Sequence, residues 1–249
     1  MVGNGLTRFV VLAAPRTGSN WLCSLLDSHP QILCHHEIFN PERVIYAVSC
    51  RDGRLDLGTV AERNADPLRF LAGVWQHPCG HPIVGFKLNR DQEPRAFEQV
   101  LADPGIRKLL LYRRNRVRTY VSEHIALATG EWESYPWSRR SPRQIQLEVD
   151  AATLRAHAER NQRYYDGLRR VLEEASQPVL ELCYEQLGEP RELQRALDFL
   201  GAAGHAGDLQ GATRKQNAAP LSQLIANFND LAAQLRGSDL AAELAEAAA

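Results

Sequence analysis

The sequence has almost no net charge: 29 Lys and Arg against 30 Asp and Glu leave −1 over 249 residues. No global field draws nucleic acid or an anionic membrane to such a chain, so any anion site must be local. Long apolar runs are also missing. The apolar run nearest the start, Phe9 to Pro15, follows a polar segment and ends at Arg16. It is too short and wrongly flanked for a signal peptide or a membrane span, which points to a cytoplasmic protein with no membrane segment. The five cysteines, Cys23, Cys34, Cys50, Cys79 and Cys183, are odd in number and scattered, with no CxxC pair. That excludes a disulfide framework and a structural zinc site, and reads as reduced thiols. No internal repeat is present.

What is there is an ordinary globular composition, 44% hydrophobic and 24% charged, with short apolar runs alternating with longer amphipathic ones. This is the pattern of strand–helix–strand units around a buried parallel sheet. Strands are expected at 8–14, 31–34, 83–88, 108–112 and 178–183, and helices near 19–28, 59–76, 93–102, 116–128, 142–175, 190–200 and 219–235. The chain therefore reads as one α/β domain over 1–249, a central parallel sheet flanked by helices. Two segments, "QHPCGHP" (76–82) and "ESYPWSRRSPRQ" (133–144), read as loops over the sheet, either substrate-contacting or packed surface loops. The second joins an aromatic lid near 129–144, with Trp132, Tyr135 and Trp137, that would double as a contact surface in a homodimer. The tail "DLAAELAEAAA" reads as a frayed helix end without a role.

The informative stretch is "RFVVLAAPRTGSNWL" (8–22). A strand that ends in a tight turn opening a helix aims backbone N–H groups and the positive helix end at one spot, which suits phosphate or sulfate. Gly18 permits close backbone approach, and Thr17, Ser19 and Asn20 add side-chain donors. Arg16 supplies a fixed charge with a planar fork of donors. Simple helix capping by Thr17 or Ser19 explains the polar residues but not an arginine beside the glycine. A nucleoside-triphosphate loop needs G-x-x-x-x-G-K-[ST]; here Ser19 and Asn20 stand where the lysine belongs, which argues against a triphosphate with its metal.

These residues carry a resemblance. "PRTGSNW" is similar to the 5′-phosphosulfate loop of sulfotransferases that use 3′-phosphoadenosine-5′-phosphosulfate (PAPS), a P-loop-like nucleotide-binding fold. "YRRNRVRTYVSEH" (112–124) resembles the family's 3′-phosphate element, in which a serine follows an arginine by eight residues, here Arg114 and Ser122, although Arg116 replaces the usual proline. "LELCYEQL" (180–187) resembles the L-x-Y-E-D-L strand end. "TRKQNAAPLSQLIANFNDL" (213–231) resembles the C-terminal segment of bacterial carbohydrate-type enzymes acting on trehalose or Nod factors. The four matches are in order from residue 9 to 231, while about 43 to 82 resembles nothing known. The resemblance implies PAPS as co-substrate, adenosine 3′,5′-bisphosphate (PAP) as product, and no required metal. It implies that Arg114 and Ser122 hold the 3′-phosphate, with Arg214 and Lys215 closing over it from a segment near 211–235. Trp21 would stack on adenine or pack in the core, and Tyr184 carries the same two readings.

Sulfuryl transfer needs an in-line nucleophile, charge stabilisation on the leaving group and a base for the acceptor hydroxyl. In the family's cytosolic branch the base is a histidine two residues after a lysine, but "GFKLNR" puts Asn89 there, which cannot take a proton. "LCHHEIFNP" (33–41) offers the substitute, because "HHEIF" resembles the Q-E-F-F context of the trehalose-type base. Glu37 is favoured over His36 as base, on the expectation that burial near Ile38 and Phe39 raises its proton affinity. Adjacent His35, His36 and Glu37 diverge on an extended chain, so they form no metal site. Arg16 and Lys87 would stabilise the leaving charge. The function expected is sulfuryl transfer to a small-molecule or glycan hydroxyl, in a sugar, glycolipid or secondary metabolite. The alternatives are a small-molecule kinase of P-loop type and a catalytically silent PAPS-binding protein.

Overall fold

The computed structural model describes residues 5–53, 55–137, 145–213 and 216–246. Its five strands, β1 (Thr7–Ala13), β2 (Ile32–His35), β3 (Ile83–Asn89), β4 (Ile106–Tyr112) and β5 (Val179–Cys183), fall on the five apolar runs. They form one sheet in the order β2-β3-β1-β4-β5, with every neighbouring pair parallel. The chain leaves β1 toward β2 on one side and reaches β4 on the other. The order therefore reverses beside β1, and a parallel sheet opens a ligand crevice at that point on its C-terminal edge. Strands covered on both faces need continuous apolar sequence, which is why β1 and β3 are buried over nearly their whole length.

Helices pack both faces. On one lie α1 (Ser19–Asp27) and α7 (Pro190–Leu200), whose Leu22, Leu26, Leu193 and Leu197 meet Phe9, Val11 and Leu109. On the other, α3 (Pro67–Gln76), α4 (Pro94–Ala102) and α6 (Ala151–Glu174) bring Phe70, Val100 and Leu168 against Val10, Leu12 and Phe86. A third core joins α5 (Arg116–Thr129) to α6 and the C-terminal helices.

Four expectations need correction. The helix expected over 59–76 is two, α2 (Val60–Ala65) and α3, because Pro67 disfavours helical geometry at Asp66, which instead caps α3. The helix expected from 142 begins at Ala151 behind the Asp150 cap, and 145–150 runs outside it, with Leu147 bridged to Ile225. That bridge also divides the helix expected at 219–235 into α8 (Leu221–Leu224) and α9 (Phe228–Gln234). Residues 77–82, whose segment reads from sequence as either a substrate-contacting or a surface loop, connect α3 to the N-terminal end of β3, the end away from the crevice, which fits the surface reading.

The tail is the fourth. It forms α10 (Asp239–Ala245), which buries Leu240 and Leu244 in the third core. The Arg116 Nε donates to Glu243 Oε1 at 2.7 Å, and Asn115 Nδ2 donates to the Glu243 carbonyl and to Glu246 Oε2, both at 2.8 Å. Arg116, out of pattern for the family, thus has a partner in the tail. Leu240→Ala should lower unfolding free energy by about 2–3 kcal/mol in urea titrations, whereas Glu243→Gln, removing a partly exposed pair, should cost under about 1 kcal/mol. A frayed tail predicts no change for either.

Candidate active site

A cavity of about 800 Å³ opens at the C-terminal edge of the sheet beside β1. Of the residues singled out in the sequence, Arg16, Gly18, Ser19, Asn20, Trp21, Glu37, Lys87, Ser122 and Tyr184 line it. Arg214 and Lys215 lie outside the described residues, as does the part of the expected lid from 138 to 144.

The turn after β1 is held from within. Thr17 Oγ1 donates to the Ala14 carbonyl at 2.9 Å, so its hydroxyl shapes the turn, and Thr17 does not line the cavity. The Ala14 N–H donates to Tyr165 Oη at 2.9 Å, which in turn donates to the Leu111 carbonyl at 2.7 Å, tying β1 to β4. Gly18 has φ +85° and caps α1, and a Cβ there would stand 2.2 Å from the Tyr184 ring. Both the backbone and the space require glycine. The Tyr184 ring meets Trp21 edge-on at 6.1 Å between centroids and carries the Arg113 guanidinium 4.5 Å above it.

Arginines converge on this turn. Arg16, at φ 62°, donates from Nε to Ser122 Oγ at 3.0 Å and from its other nitrogens to the Trp132 carbonyl and Gln216 Oε1. All three acceptors are uncharged. Burial and the neighbouring Arg113 both lower the Arg16 pKa. Arg113 Nε and Arg118 Nη2 are buried without a hydrogen-bond partner among the described residues, and Arg118 is only 7% exposed. Buried guanidinium groups without full partners are costly, and an anion in the cavity would supply what they lack.

Arg114 is not among them. Its side chain is 63% exposed, 3.9 Å from Glu185, and it does not line the cavity. The sequence spacing sets Arg114 against Ser122, but the turn faces it outward and puts Arg113 and, in the first turn of α5, Arg118 inside. Glu185 fixes that turn by accepting the Arg114 and Asn115 N–H groups at 3.1 and 3.2 Å.

The second group of charges lies below the β3 end. Lys87 Nζ, with its side chain 2% exposed, donates to Glu37 Oε1 at 2.7 Å and also to Asn20 Oδ1. Glu37 Oε2 accepts from Asn40 Nδ2 at 2.9 Å and Gln92 Nε2 at 2.8 Å. Burial would raise the Glu37 pKa, but the Lys87 charge and these hydrogen bonds outweigh it and hold the carboxyl below its ordinary value. The expectation of raised proton affinity is therefore corrected: Ile38 and Phe39 are buried, yet the carboxylate faces three donors.

His36 is fully buried and does not line the cavity. Neither ring nitrogen makes a well-formed hydrogen bond among the described residues, although Nδ1 stands 3.5 Å from Glu133 Oε1. Burial outweighs that neighbour and lowers the His36 pKa, so it is a neutral ring set behind the cavity wall. His35 is structural, accepting the Ala47 N–H at 3.1 Å.

Several contributors have no counterpart among the sequence expectations. Gln92 accepts the N–H of Asn89, the residue that replaces the cytosolic histidine, at 3.0 Å. Asn40 supports the Glu37 carboxylate. Glu133, with its side chain 13% exposed, reaches from the loop after α5 to accept from Asn20 Nδ2 at 2.9 Å. Nothing in a single sequence pairs positions so far apart. Among the described residues no group of three or more His, Cys, Asp or Glu is placed to hold a metal ion, and no helix is long and apolar enough to cross a membrane.

No protein-family model matches the chain. It is 27% identical over 228 residues to Nodulation protein H of Rhizobium meliloti strain 1021, covering 90% of this chain and 89% of that one. To Nodulation protein H of Rhizobium tropici it is 26% identical over 238 residues, covering 94% and 91%. Similar solved structures include a sulfotransferase from Alicyclobacillus acidocaldarius, with TM-score 0.48, 15% identity and coverage of 96% of this chain and 92% of that one. Another is the sulfotransferase domain from the curacin biosynthetic pathway, with TM-score 0.44, 14% identity and coverage of 93% and 98%. The similarity to the nodulation proteins extends along nearly the whole chain and supports the resemblance to PAPS-dependent sulfotransferases drawn from the four motifs.

Because Gly18 is fixed by both φ and the Tyr184 ring, Gly18→Ala should weaken PAP binding at least about tenfold by calorimetry, a loss set by backbone strain of about 1–3 kcal/mol. Unchanged affinity would mean that the turn does not touch the nucleotide.

Proposed function

We infer that the protein is a sulfotransferase that moves the sulfuryl group of PAPS to a hydroxyl acceptor. The observation that carries this reading is the cluster of Arg16, Arg113 and Arg118 around a glycine-pinned turn, with a buried lysine–carboxylate pair beside it in the same cavity. In this reading the 5′-phosphosulfate lies against the Gly18–Asn20 turn, and the 3′-phosphate meets Arg113, Arg118 and Ser122. Trp21 and Tyr184 offer flat surfaces to the adenine.

The acceptor oxygen attacks sulfur while the bond from sulfur to the bridging oxygen breaks, and that electron pair leaves on the 5′-phosphate of PAP. Arg16 and Lys87 would stabilise the leaving charge, as cations in the same cavity. Glu37 takes the acceptor proton. It is ionised at neutral pH because its pKa is lowered, and it becomes a stronger base when Lys87 turns from it toward the donor, since the charge that depresses its pKa then moves away. The segments that carry Trp132 and Gln216 would cover the donor, because both residues already meet Arg16. The acceptor would occupy the end of the cavity lined by Glu37, Asn40, Arg43, Ile45 and Gln92.

Four measurements test this reading. PAP should bind in calorimetry equally well with and without magnesium, whereas a kinase would prefer ATP with the metal. Glu37→Gln should cut transfer from PAPS by at least about 100-fold with PAP affinity unchanged, the usual share of a general base; full binding with no transfer to any acceptor in the wild type would favour a silent binding protein. Arg113→Ala should weaken PAP binding about 10- to 100-fold, and Arg114→Ala less than about threefold, the difference between a desolvated ionic contact and an exposed one. The pH profile carries a sign of its own. Since the Glu37 pKa in the unliganded protein lies below that of a free glutamate, the acidic limb of kcat/KM, which reports the free enzyme, should fall below the ordinary carboxyl range, and a limb above it would contradict the ion pair.

A further inference from the structure

Glu133 stands where three parts of the site meet. Its Oε1 accepts from Asn20 Nδ2 at 2.9 Å, and its Oε2 accepts from Tyr135 Oη at 2.8 Å, with an Arg51 nitrogen 3.8 Å away. Asn20 spends its other amide end on Lys87, whose Nζ also donates to Glu37 at 2.7 Å. The result is an unbroken chain, Glu37–Lys87–Asn20–Glu133–Tyr135, from the floor of the cavity to the loop above it.

The polarity of this chain is fixed from its two ends. An amide has one accepting and one donating end, and Asn20 lies between a cation and an anion. With Oδ1 on Lys87 and Nδ2 on Glu133 both contacts are attractive. A flipped amide would set a donor against the ammonium and an acceptor against the carboxylate, making both repulsive. Lys87 is buried and donates to Glu37 and Asn20 among the described residues, so the orientation of Asn20 decides where its ammonium stands.

We propose that Glu133 is a positioning residue for sulfuryl transfer: it orients the Asn20 amide, which holds Lys87 between the base and the donor. The proposal rests on the sulfotransferase reading for its reaction, but its geometry belongs to the protein without ligand. The carboxylate comes from the loop that also gives Arg16 its Trp132 carbonyl, so the ordering of that loop and the placement of Lys87 are one event.

A polarity swap tests it. Asn20→Asp alone sets two carboxylates face to face and should lower PAPS turnover, with water or a supplied sugar as acceptor, about 10- to 100-fold. Adding Glu133→Gln lets the new amide donate to the carboxylate introduced at position 20, whose second oxygen still faces Lys87, and should restore turnover to within about tenfold of wild type. Adding Glu133→Leu instead restores the net charge without the hydrogen bond and should restore nothing. Equal rescue by Gln and Leu would reduce Glu133 to a mere charge, and failure of the Gln rescue would remove the coupling altogether; either overturns the proposal. PAP affinity reports whether each variant folds, and if the Leu variant does not, the comparison of Asn20→Asp with its Gln partner decides.

A readout free of turnover separates this proposal from the one beneath it. In the unliganded wild type one Asn20 side-chain amide proton should exchange slowly, and in Glu133→Gln, with the carboxylate charge gone, it should exchange faster. Should the wild type consume no PAPS, the functional reading fails while a protected amide sustains the positioning role. An unprotected amide sinks that role whatever the turnover.

Discussion

The site is organised around a guanidinium that is not neutralised by contact. Arg16 ends the turn after β1 in a left-handed backbone conformation, which a residue with a side chain adopts only when its surroundings hold it there. Its partners are a hydroxyl, a backbone carbonyl and an amide oxygen, and its charged neighbour Arg113 repels it. The nearest carboxylates act only at a distance. A protein that gathers positive charge in this way with only the distant Glu185 carboxylate near Arg113 stores a demand for an anion, and the loop at Trp132, α5 through Ser122 and the segment at Gln216 all converge to hold the Arg16 charge in place.

The fold explains why the demand can be met at this spot. In an open parallel sheet the loops leaving β1 and β4 go opposite ways, and the gap between them receives the N-termini of α1 and α5. Tyr165 pins the two strands together beneath the gap. Tyr184 covers Gly18 on one side of it, and α10 clamps the start of α5 on the other. The charges on the β3 side are arranged differently, for there Lys87 has a full carboxylate partner. One end of the cavity therefore gathers incompletely partnered arginines, and the other holds a lysine already paired with a carboxylate.

The sequence is most legible where local physics acts alone. Five apolar runs and a glycine after a strand suffice for the sheet and the turn, because burial and positive φ leave few other residues possible. Helix limits fail where a remote contact overrides periodicity, as at Leu147 with Ile225 and in the tail helix buried through Leu240 and Leu244. In the site, Arg16, Asn20, Glu37, Lys87 and Ser122 are legible as polar residues at strand and helix ends, and they share one cavity. The choice between Arg113 and Arg114 is not, since adjacent residues at a strand end differ only by which way the turn faces. The Glu37 pKa takes the opposite direction from the one its apolar sequence neighbours suggest, because Lys87, Asn40 and Gln92 reach it through the fold. Glu133 has no local signature at all.

The most direct test is a crystal structure of the protein with PAP. The 5′-phosphate is expected against the Gly18–Asn20 turn, the 3′-phosphate among Arg113, Arg118 and Ser122, and the Arg16 guanidinium released from the Trp132 carbonyl onto a phosphate oxygen. A nucleotide bound elsewhere, or a cavity that stays empty at saturating PAP with Arg16 still tied to Trp132 and Gln216, would contradict it.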